Sequence, residues 1–171
     1  NTQNVLEHGI SVAKHFDKLI SGDTNNWKLP TWFIDNKELI LNNLHSLEDI
    51  KEYHVMHDCG KSYCMTIDEQ GKRHFTNHSQ VSFDTFSKIS DNKVVVDLIL
   101  KDMVLHTIKS DEVEDFIKNN SIKTVITLLV TALCELHSNA SMFGGTESTS
   151  FKIKFKQLDK RGKQILKLIN K

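Results

Sequence analysis

Hydrophobic residues recur three and four positions apart along most of this chain, which is the spacing of one face of an α-helix. Near the N-terminus, for example, Leu6, Ile10, Ala13 and Phe16 are spaced in this way. The pattern predicts helices over residues 4–20, 37–44, 46–57, 78–90, 93–108, 111–118, 122–140 and 159–171. The helix over 122–140 is the most apolar, so we expect it at the centre of the fold.

Two segments alternate apolar and polar residues instead, which is the pattern of a β-strand. Residues 62–76 alternate on both sides of an Asp-Glu-Gln-Gly-Lys turn, which predicts a hairpin. Residues 151–156, Phe-Lys-Ile-Lys-Phe-Lys, predict a short strand with one apolar and one basic face. We therefore predict an all-α, mostly helical bundle with a small β-hairpin and a short C-terminal strand, forming one domain over residues 1–171.

The composition agrees with a helical globular protein. Seven glycines and one proline among 171 residues leave long stretches without helix breakers. No apolar run is long enough to span a membrane, so no membrane partner is expected. An odd number of cysteines, three, without a secretory signal favours a reducing compartment, and we expect a cytoplasmic protein.

The net charge of zero conceals an uneven distribution. A basic C-terminal extension, residues 148–171, holds eight Lys or Arg and one Asp, a net charge of +7, so the remainder carries −7. This asymmetry suggests an anionic partner near the C-terminal end. A solvated, lysine-rich helix face is an equally good explanation.

The strongest chemical signal is His57-Asp58, in the sequence His-Asp-Cys-Gly-Lys. An imidazole and a carboxylate at the end of a helix can bind one divalent cation, and these ligands suit Mn, Fe, Co, Ni or Zn. Gly60 ends the helix, and Lys61 follows as a positive charge that can bind a phosphate oxygen.

Other candidate residues lie near apolar helices or at helix ends. His8 borders the apolar face of the first helix. Asp102 lies within an apolar helix, where an unpaired carboxylate is costly, and His106 is four residues further on the same face. His74 and His78 flank the start of the helix that follows the hairpin.

The order of these motifs resembles that of the HD superfamily of metal-dependent phosphohydrolases, over about residues 4–140. The segment around His8 is similar to the first helix of the family, and His57-Asp58 to its second motif. Asn77-His78-Ser79 is similar to the downstream histidine segment, which supplies a second metal in dinuclear members. The resemblance implies a helical fold that binds one or two ions through His8, His57 and Asp58.

The last metal ligand in the family is an aspartate, and this chain offers two positions for it. Asp102 is one candidate and is the residue we predict. The more usual position, near the end of the following long helix, falls on Ser138-Asn139-Ala140, where asparagine replaces aspartate. Such a replacement would also be compatible with a chain that binds phosphates without cleaving them.

The resemblance implies a metal-dependent phosphohydrolase that releases phosphate from a nucleotide or an RNA-end phosphate ester. The HD phosphatase domain of bacterial RNA end-healing enzymes is an analogy. We predict catalytic roles for Lys61, His78 and His106, and substrate binding by His74, Ser148, Ser150, Lys152 and Lys154, with Arg161 a further candidate. The alternatives are hydrolysis of a nucleoside triphosphate, cyclic or signalling nucleotide, and a degenerate HD module that binds a nucleotide or a partner protein.

Overall fold

A computed structural model describes residues 4–171, and over this range the chain forms eleven α-helices and one β-hairpin. In chain order the elements are α1 (Val5–Ser21), α2 (Thr31–Asp35), α3 (Lys37–Asn42), α4 (Leu47–Met56), α5 (Lys61–Cys64), β1 (Met65–Ile67), β2 (Arg73–Phe75), α6 (His78–Phe86), α7 (Lys93–Lys101), α8 (Val104–Thr107), α9 (Val113–Lys118), α10 (Ile122–Ser138) and α11 (Thr149–Ile169). The predicted mostly helical fold with a small hairpin is confirmed.

Helix α10 lies at the centre, packed against α1, α7, α8 and α11. Every residue from 124 to 137 is buried, so this helix is covered on all sides. A helix in that position needs apolar residues all around its axis, which explains its nearly continuous apolar sequence.

The polar side chains of α10 find partners inside the bundle. Thr124 bonds to His45 at 3.1 Å, and Thr131 bonds to His54 at 2.8 Å. His137 donates to the carbonyl oxygen of Lys28 and stacks on the ring of Trp27. Because a buried polar group without a partner costs about 1–3 kcal/mol, these bonds set how the neighbouring segments dock on α10.

The hairpin is confirmed over Met65–Ile67 and Arg73–Phe75, although residues 62–64 of the predicted segment belong to α5. The predicted C-terminal strand is wrong. Residues 151–156 belong to α11, which begins after Ser148, whose hydroxyl accepts from the amide of Phe151. A helical face of Phe151, Leu158, Gly162 and Ile165 is buried in the bundle, whereas Ile153 is 54% exposed. Six alternating residues cannot by themselves exclude a helix, and burial of this longer face decides the structure.

The predicted helix over 93–108 is interrupted. The amide of Asp102 donates to the carbonyl of Ile99, three residues back, and α8 starts two residues later. This tighter turn separates Asp102, which caps the C-terminus of α7, from His106, which lies on α8.

The sequence also predicted that no segment spans a membrane and that the cysteines are in a reducing compartment. In the part of the chain that the structure describes, no helix combines the length and the apolarity that crossing a bilayer requires. Cys59, Cys64 and Cys134 are all free thiols.

Gly9 allows α1 and α4 to pack closely beside the predicted metal ligands. A Cβ atom at this position would lie 2.6 Å from the carbonyl oxygens of His54 and Val55. Because these contacts are with backbone, rotation of a side chain cannot relieve them.

We expect Gly9→Ala to lower the free energy of unfolding by about 1–3 kcal/mol, because the two helices must separate. Chemical denaturation followed by circular dichroism measures this change. Lys14→Ala, an exposed position on the same helix, is the control and should change stability by less than about 0.5 kcal/mol. A stable Gly9→Ala protein would contradict the close approach of α1 and α4.

Candidate metal centre

The His57-Asp58 turn is held against α6. His57 caps the C-terminus of α4, and the amide of Gly60 donates to the Ser82 hydroxyl at 2.9 Å. A Cβ atom at Gly60 would overlap the backbone of Ser82. Glycine at this position therefore lets the turn approach α6, which begins at His78.

Four side chains from three parts of the fold converge at this turn: His8 from α1, His57 and Asp58 from the turn, and Glu135 from α10. Donor atoms of His8, His57 and Glu135 all lie within 4.8 Å of one another. Asp58 Oδ2 is 3.4 Å from His57 Nε2 and 3.8 Å from His8 Nε2, and His57 Nε2 is 3.1 Å from Glu135 Oε1. Two imidazoles and two carboxylates form a donor set suited to a divalent transition metal.

Backbone carbonyls orient two of the imidazoles. His57 Nδ1 donates to the carbonyl of His54 at 2.7 Å, and His78 Nδ1 donates to the carbonyl of Phe75 at 3.0 Å. Each bond places the Nε2 lone pair on the side of the ring that faces Asp58, and His78 Nε2 lies 3.7 Å from Asp58 Oδ1. Such bonds fix the tautomer and the direction of a metal-ligating histidine.

The burial and hydrogen bonding of Asp58 indicate whether these residues suit a cation. The side chain is only 2% exposed, and its Oδ1 atom has no hydrogen-bond partner among the described residues. Burial raises the pKa of Asp58, but His57 and Lys61 outweigh this effect and hold the pKa well below its usual range. A buried, ionised carboxylate with an unpaired oxygen fits a bound cation.

The buried ionisable groups beside Asp58 shift one another's pKa values. Burial opposes ionisation of Glu135, yet hydrogen bonds from His106 and His57 keep its pKa well below the usual value. Burial lowers the pKa of His57, but the charge of Asp102 and hydrogen bonds to Asp58 and Glu135 raise it well above normal. Burial and the charge of Glu135 raise the pKa of Asp102 to about 6.

The structure places Glu135, not Asp102, in the group of converging donor atoms. Asp102 is 6% exposed and lies beside the site, where its Oδ1 accepts from the hydroxyl of Tyr53. This bond satisfies the buried carboxylate that the sequence identified as needing a partner. Asn139, the other predicted position, lies four residues beyond Glu135 and lines the adjoining cavity.

A cavity of about 330 Å³ opens beside these ligands. Four more of the predicted residues line it: Lys61, His78, His106 and Lys154 of α11. Lys61 Nζ lies 2.5 Å from Asp58 Oδ2, and His106 Nε2 bonds to Glu135 Oε2 at 3.1 Å. Residues from four distant segments of the chain thus surround one space.

Four predicted substrate-binding residues do not line this cavity. His74 bonds to Asp68 within the hairpin, and Ser148 is committed to capping α11. Lys152 pairs with Glu147 at 2.9 Å, and Ser150 is exposed in the first turn of α11. The prediction for Lys152 and Lys154 together assumed a strand, whereas in a helix residues two positions apart point in nearly opposite directions.

Sequence reasoning missed two polar residues of the site, Glu135 and Gln157. Glu135 is a carboxylate in the most apolar helix, where, like Asp102, it needs a partner because an unpaired buried carboxylate is costly. Lys154, Gln157, Leu158 and Arg161 all line the cavity and follow the spacing of one helical face. Predicting a strand over 151–156 concealed that face and with it Gln157. Arg161 was recognised only as a candidate, and its guanidinium donates to the carbonyls of Leu105 and Ile108, joining α11 to α8.

No protein-family model matches this chain, and neither a curated protein nor a solved structure matches it. The resemblance to the HD superfamily therefore remains a prediction, and function is inferred from the residues of the site.

Replacing each candidate carboxylate by its amide tests whether Glu135 or Asp102 is the metal ligand. We expect Glu135→Gln to weaken Co²⁺ binding by at least about 10-fold to 100-fold, because a ligand oxygen is replaced by a neutral amide. Asp102→Asn should bind Co²⁺ much as the unaltered protein does, because its amide oxygen can still accept from Tyr53. Titration of chelator-treated protein, followed by visible absorption, measures both affinities.

Circular dichroism establishes that both variants are folded before the titrations are compared. Loss of Co²⁺ binding in Asp102→Asn with full binding in Glu135→Gln would reverse the assignment.

Proposed function

We propose that this protein is a divalent-metal-dependent hydrolase of phosphate esters carried by nucleotides or RNA ends, as the resemblance to the HD superfamily implies. The observation that supports the proposal best is the convergence of His8, His57, Asp58 and Glu135 at the edge of a cavity, with one oxygen of Asp58 buried and unpaired within residues 4–171.

These four residues would hold the ion, and His78 is placed to assist on the Oδ1 side of Asp58. When bound, a divalent ion lowers the pKa of water and polarises a phosphoryl group. The surrounding helices bury His57 and Asp58 almost completely, so competing bulk water is excluded from the inner side of the site.

Lys61 is the cation best placed to bind the reacting phosphoryl group. Its ammonium group touches Asp58 and borders the cavity, and it lies 5.7 Å from the centre of the Phe75 ring. A positive charge at this position would stabilise charge that builds on the phosphoryl oxygens during hydrolysis.

His106 has a geometric role beside its predicted part in catalysis. By donating to Oε2 of Glu135 it leaves Oε1 directed at His57, and so it positions the carboxylate. Proton transfer to the leaving oxygen, the role predicted from the sequence, requires His106 to exchange this bond for one to the substrate.

Helix α11 lines the same cavity as His8, Asp58 and Glu135 and contributes the polar side chains of Lys154 and Gln157. Here the excess positive charge of the C-terminal segment meets the site through Lys154. An anionic substrate suits this arrangement, and we propose a nucleotide or an RNA end as that substrate.

A hydrolase is favoured over a degenerate binding module by Glu135. The module hypothesis depended on the asparagine at position 139, which left the predicted site without its last carboxylate. Glu135 supplies an anionic oxygen one helical turn earlier, so the donor set retains two carboxylates. Nucleoside triphosphates and cyclic or signalling nucleotides remain alternative substrates. We also propose a reducing, cytoplasmic setting, which the three free thiols support.

Metal dependence and the role of Lys61 can be tested together. Chelator-treated protein should lack phosphohydrolase activity and regain it with Mn²⁺, Co²⁺ or Ni²⁺. Lys61→Ala should bind the metal but lower kcat by about 100-fold to 1,000-fold, because one charge that stabilises the transition state is removed. Metal-loaded protein that turns over no substrate in a panel of nucleotides and RNA ends would contradict the proposal.

Lys152 and Lys154 form a matched pair for testing substrate binding, because they are neighbouring exposed lysines of one helix. We expect Lys154→Ala to raise KM by about 3-fold to 10-fold, with a smaller effect on kcat, because Lys154 borders the cavity. Lys152→Ala should leave both constants nearly unchanged, since Lys152 pairs with Glu147 away from the cavity. Equal effects of the two substitutions would show that only overall charge matters.

A further inference from the structure

The outer face of α11 carries a continuous row of lysines, which we call the lysine stripe. Its members follow one another at intervals of three or four residues, so they share an arc of about 100° around the helix axis. They are all exposed, and they are Lys152, Lys156, Lys160, Lys163, Lys167 and Lys171. Because an α-helix rises about 1.5 Å per residue, the stripe is about 29 Å long.

The lysine stripe faces away from the helical bundle and from the candidate metal centre. The buried residues Phe151, Leu158 and Ile165 lie on the opposite side of the helix axis. Lys154 lines the cavity beside the metal ligands, whereas no lysine of the stripe lines this cavity in the part of the chain that the structure describes. A partner bound to the stripe would therefore leave the cavity open.

Half of the lysine stripe has no acidic partner within residues 4–171. Lys152 pairs with Glu147 at 2.9 Å, and Lys163 pairs with Asp159 at 2.7 Å. Glu114 lies close enough to Lys171 for the charge of the lysine to lower the pKa of this carboxyl group. The lysines that form no ion pair with a described residue are Lys156, Lys160 and Lys167.

These unpaired charges repel one another, because like charges four residues apart on a helix are destabilising. Lys156 and Lys160 have this spacing, and so do Lys163 and Lys167. An anionic partner that lies along the helix would relieve the repulsion over the whole length of the stripe.

The residue types of the stripe favour a phosphate backbone as this partner. Lysine presents a compact, strongly hydrated charge, which suits phosphate contacts and carries no information on base sequence. A duplex has about one negative charge per 1.7 Å of its axis, so a length of about 29 Å offers about 17 phosphates. The stripe thus meets a dense and regular row of anions.

Two other anionic surfaces fit α11 less well. Proteins that bind single strands stack the bases on aromatic side chains, but Phe151 is buried and Phe155 lies beneath the ammonium group of Lys28. An amphipathic helix that binds a membrane inserts its apolar face into the lipid, and the apolar face of α11 is buried in the bundle instead.

We propose that the lysine stripe binds the sugar–phosphate backbone of a nucleic-acid duplex, without sequence preference and outside the cavity. The rest of the chain carries a net charge of −7, so it repels the duplex and confines the contact to the face of α11. This inference does not rest on the proposed function, because the stripe does not border the candidate metal centre.

The test measures binding of the full chain to labelled duplexes of DNA and of RNA by fluorescence anisotropy. Duplexes of about 20 base pairs are longer than the stripe, and hydroxyl groups at their ends leave no terminal phosphate for hydrolysis. We expect both duplexes to bind, and the tighter of the two identifies the natural source of the backbone. Between about 50 and 200 mM salt, the three unpaired lysines alone should give a slope of about −2.7 in a plot of the logarithm of affinity against that of salt concentration.

A triple variant removes the unpaired charges of the stripe: Lys156→Gln, Lys160→Gln and Lys167→Gln. We expect it to bind both duplexes at least about 10-fold more weakly at about 100 mM salt and to reduce the magnitude of the salt slope by about 3. Glutamine is a good helix former and these positions are exposed, so α11 should remain folded, which circular dichroism checks.

The matched control removes three exposed lysines from other parts of the fold: Lys18→Gln, Lys88→Gln and Lys123→Gln. It loses the same total charge but should keep its affinity for both duplexes within about threefold. Equal weakening in the two triple variants would show that only net charge matters and would overturn the inference.

Three further results would also overturn it. These are a lack of binding to either duplex at about 50 mM salt, binding of a single strand of equal length as tight as that of the duplex, and stripe-dependent binding to phosphatidylserine vesicles without binding to a duplex. Each would leave metal-dependent hydrolysis standing, because these measurements involve no turnover.

Discussion

The fold depends on partners that compensate the negative charge buried inside the helical bundle. Glu135 lies within the fully buried stretch of α10, and Asp58 and Asp102 lie beside it, so three carboxylates are gathered in a space with little water. Leaving one partner of a buried charge pair without the other costs about 3–5 kcal/mol. The imidazoles of His57 and His106 bond to Glu135, Lys61 pairs with Asp58, and Tyr53 donates to Asp102.

These compensating contacts join elements that are far apart in the chain. Contacts to Glu135 connect α10 to the end of α4 and to α8, and the bond between Tyr53 and Asp102 connects α4 to the end of α7. The site and the core are therefore one structure, because the residues that satisfy the buried charges also direct the donor atoms. One oxygen of Asp58 has no hydrogen-bond partner in the part of the chain that the structure describes, and a cation would suit it.

The outer walls of the site are built from less constrained segments. Helix α11 contributes a partly exposed face, and the hairpin contributes two short strands joined to the His57-Asp58 turn through α5. A site on a rigid scaffold is expected to combine two parts. A buried centre fixes the donor atoms, and exposed walls are available to a substrate.

The sequence by itself determined most of the helices, the hairpin and the residues whose role depends on neighbours in the chain. Helical spacing identified α1, α4 and α10, and the short motif around His57 identified the turn, because each signal is local. The length of α11 could not be read from residues 151–156, since an alternating run of six residues is compatible with a strand until the burial of a longer helical face is known. The convergence of Glu135, rather than Asp102, with His8 and His57, and the separation of Lys152 from Lys154, were decided only by tertiary structure. The physical reason is that a buried carboxylate needs a partner, but the local sequence does not show which one. Only the tertiary structure brings His57, at the end of α4, and His106, on α8, to Glu135 of α10.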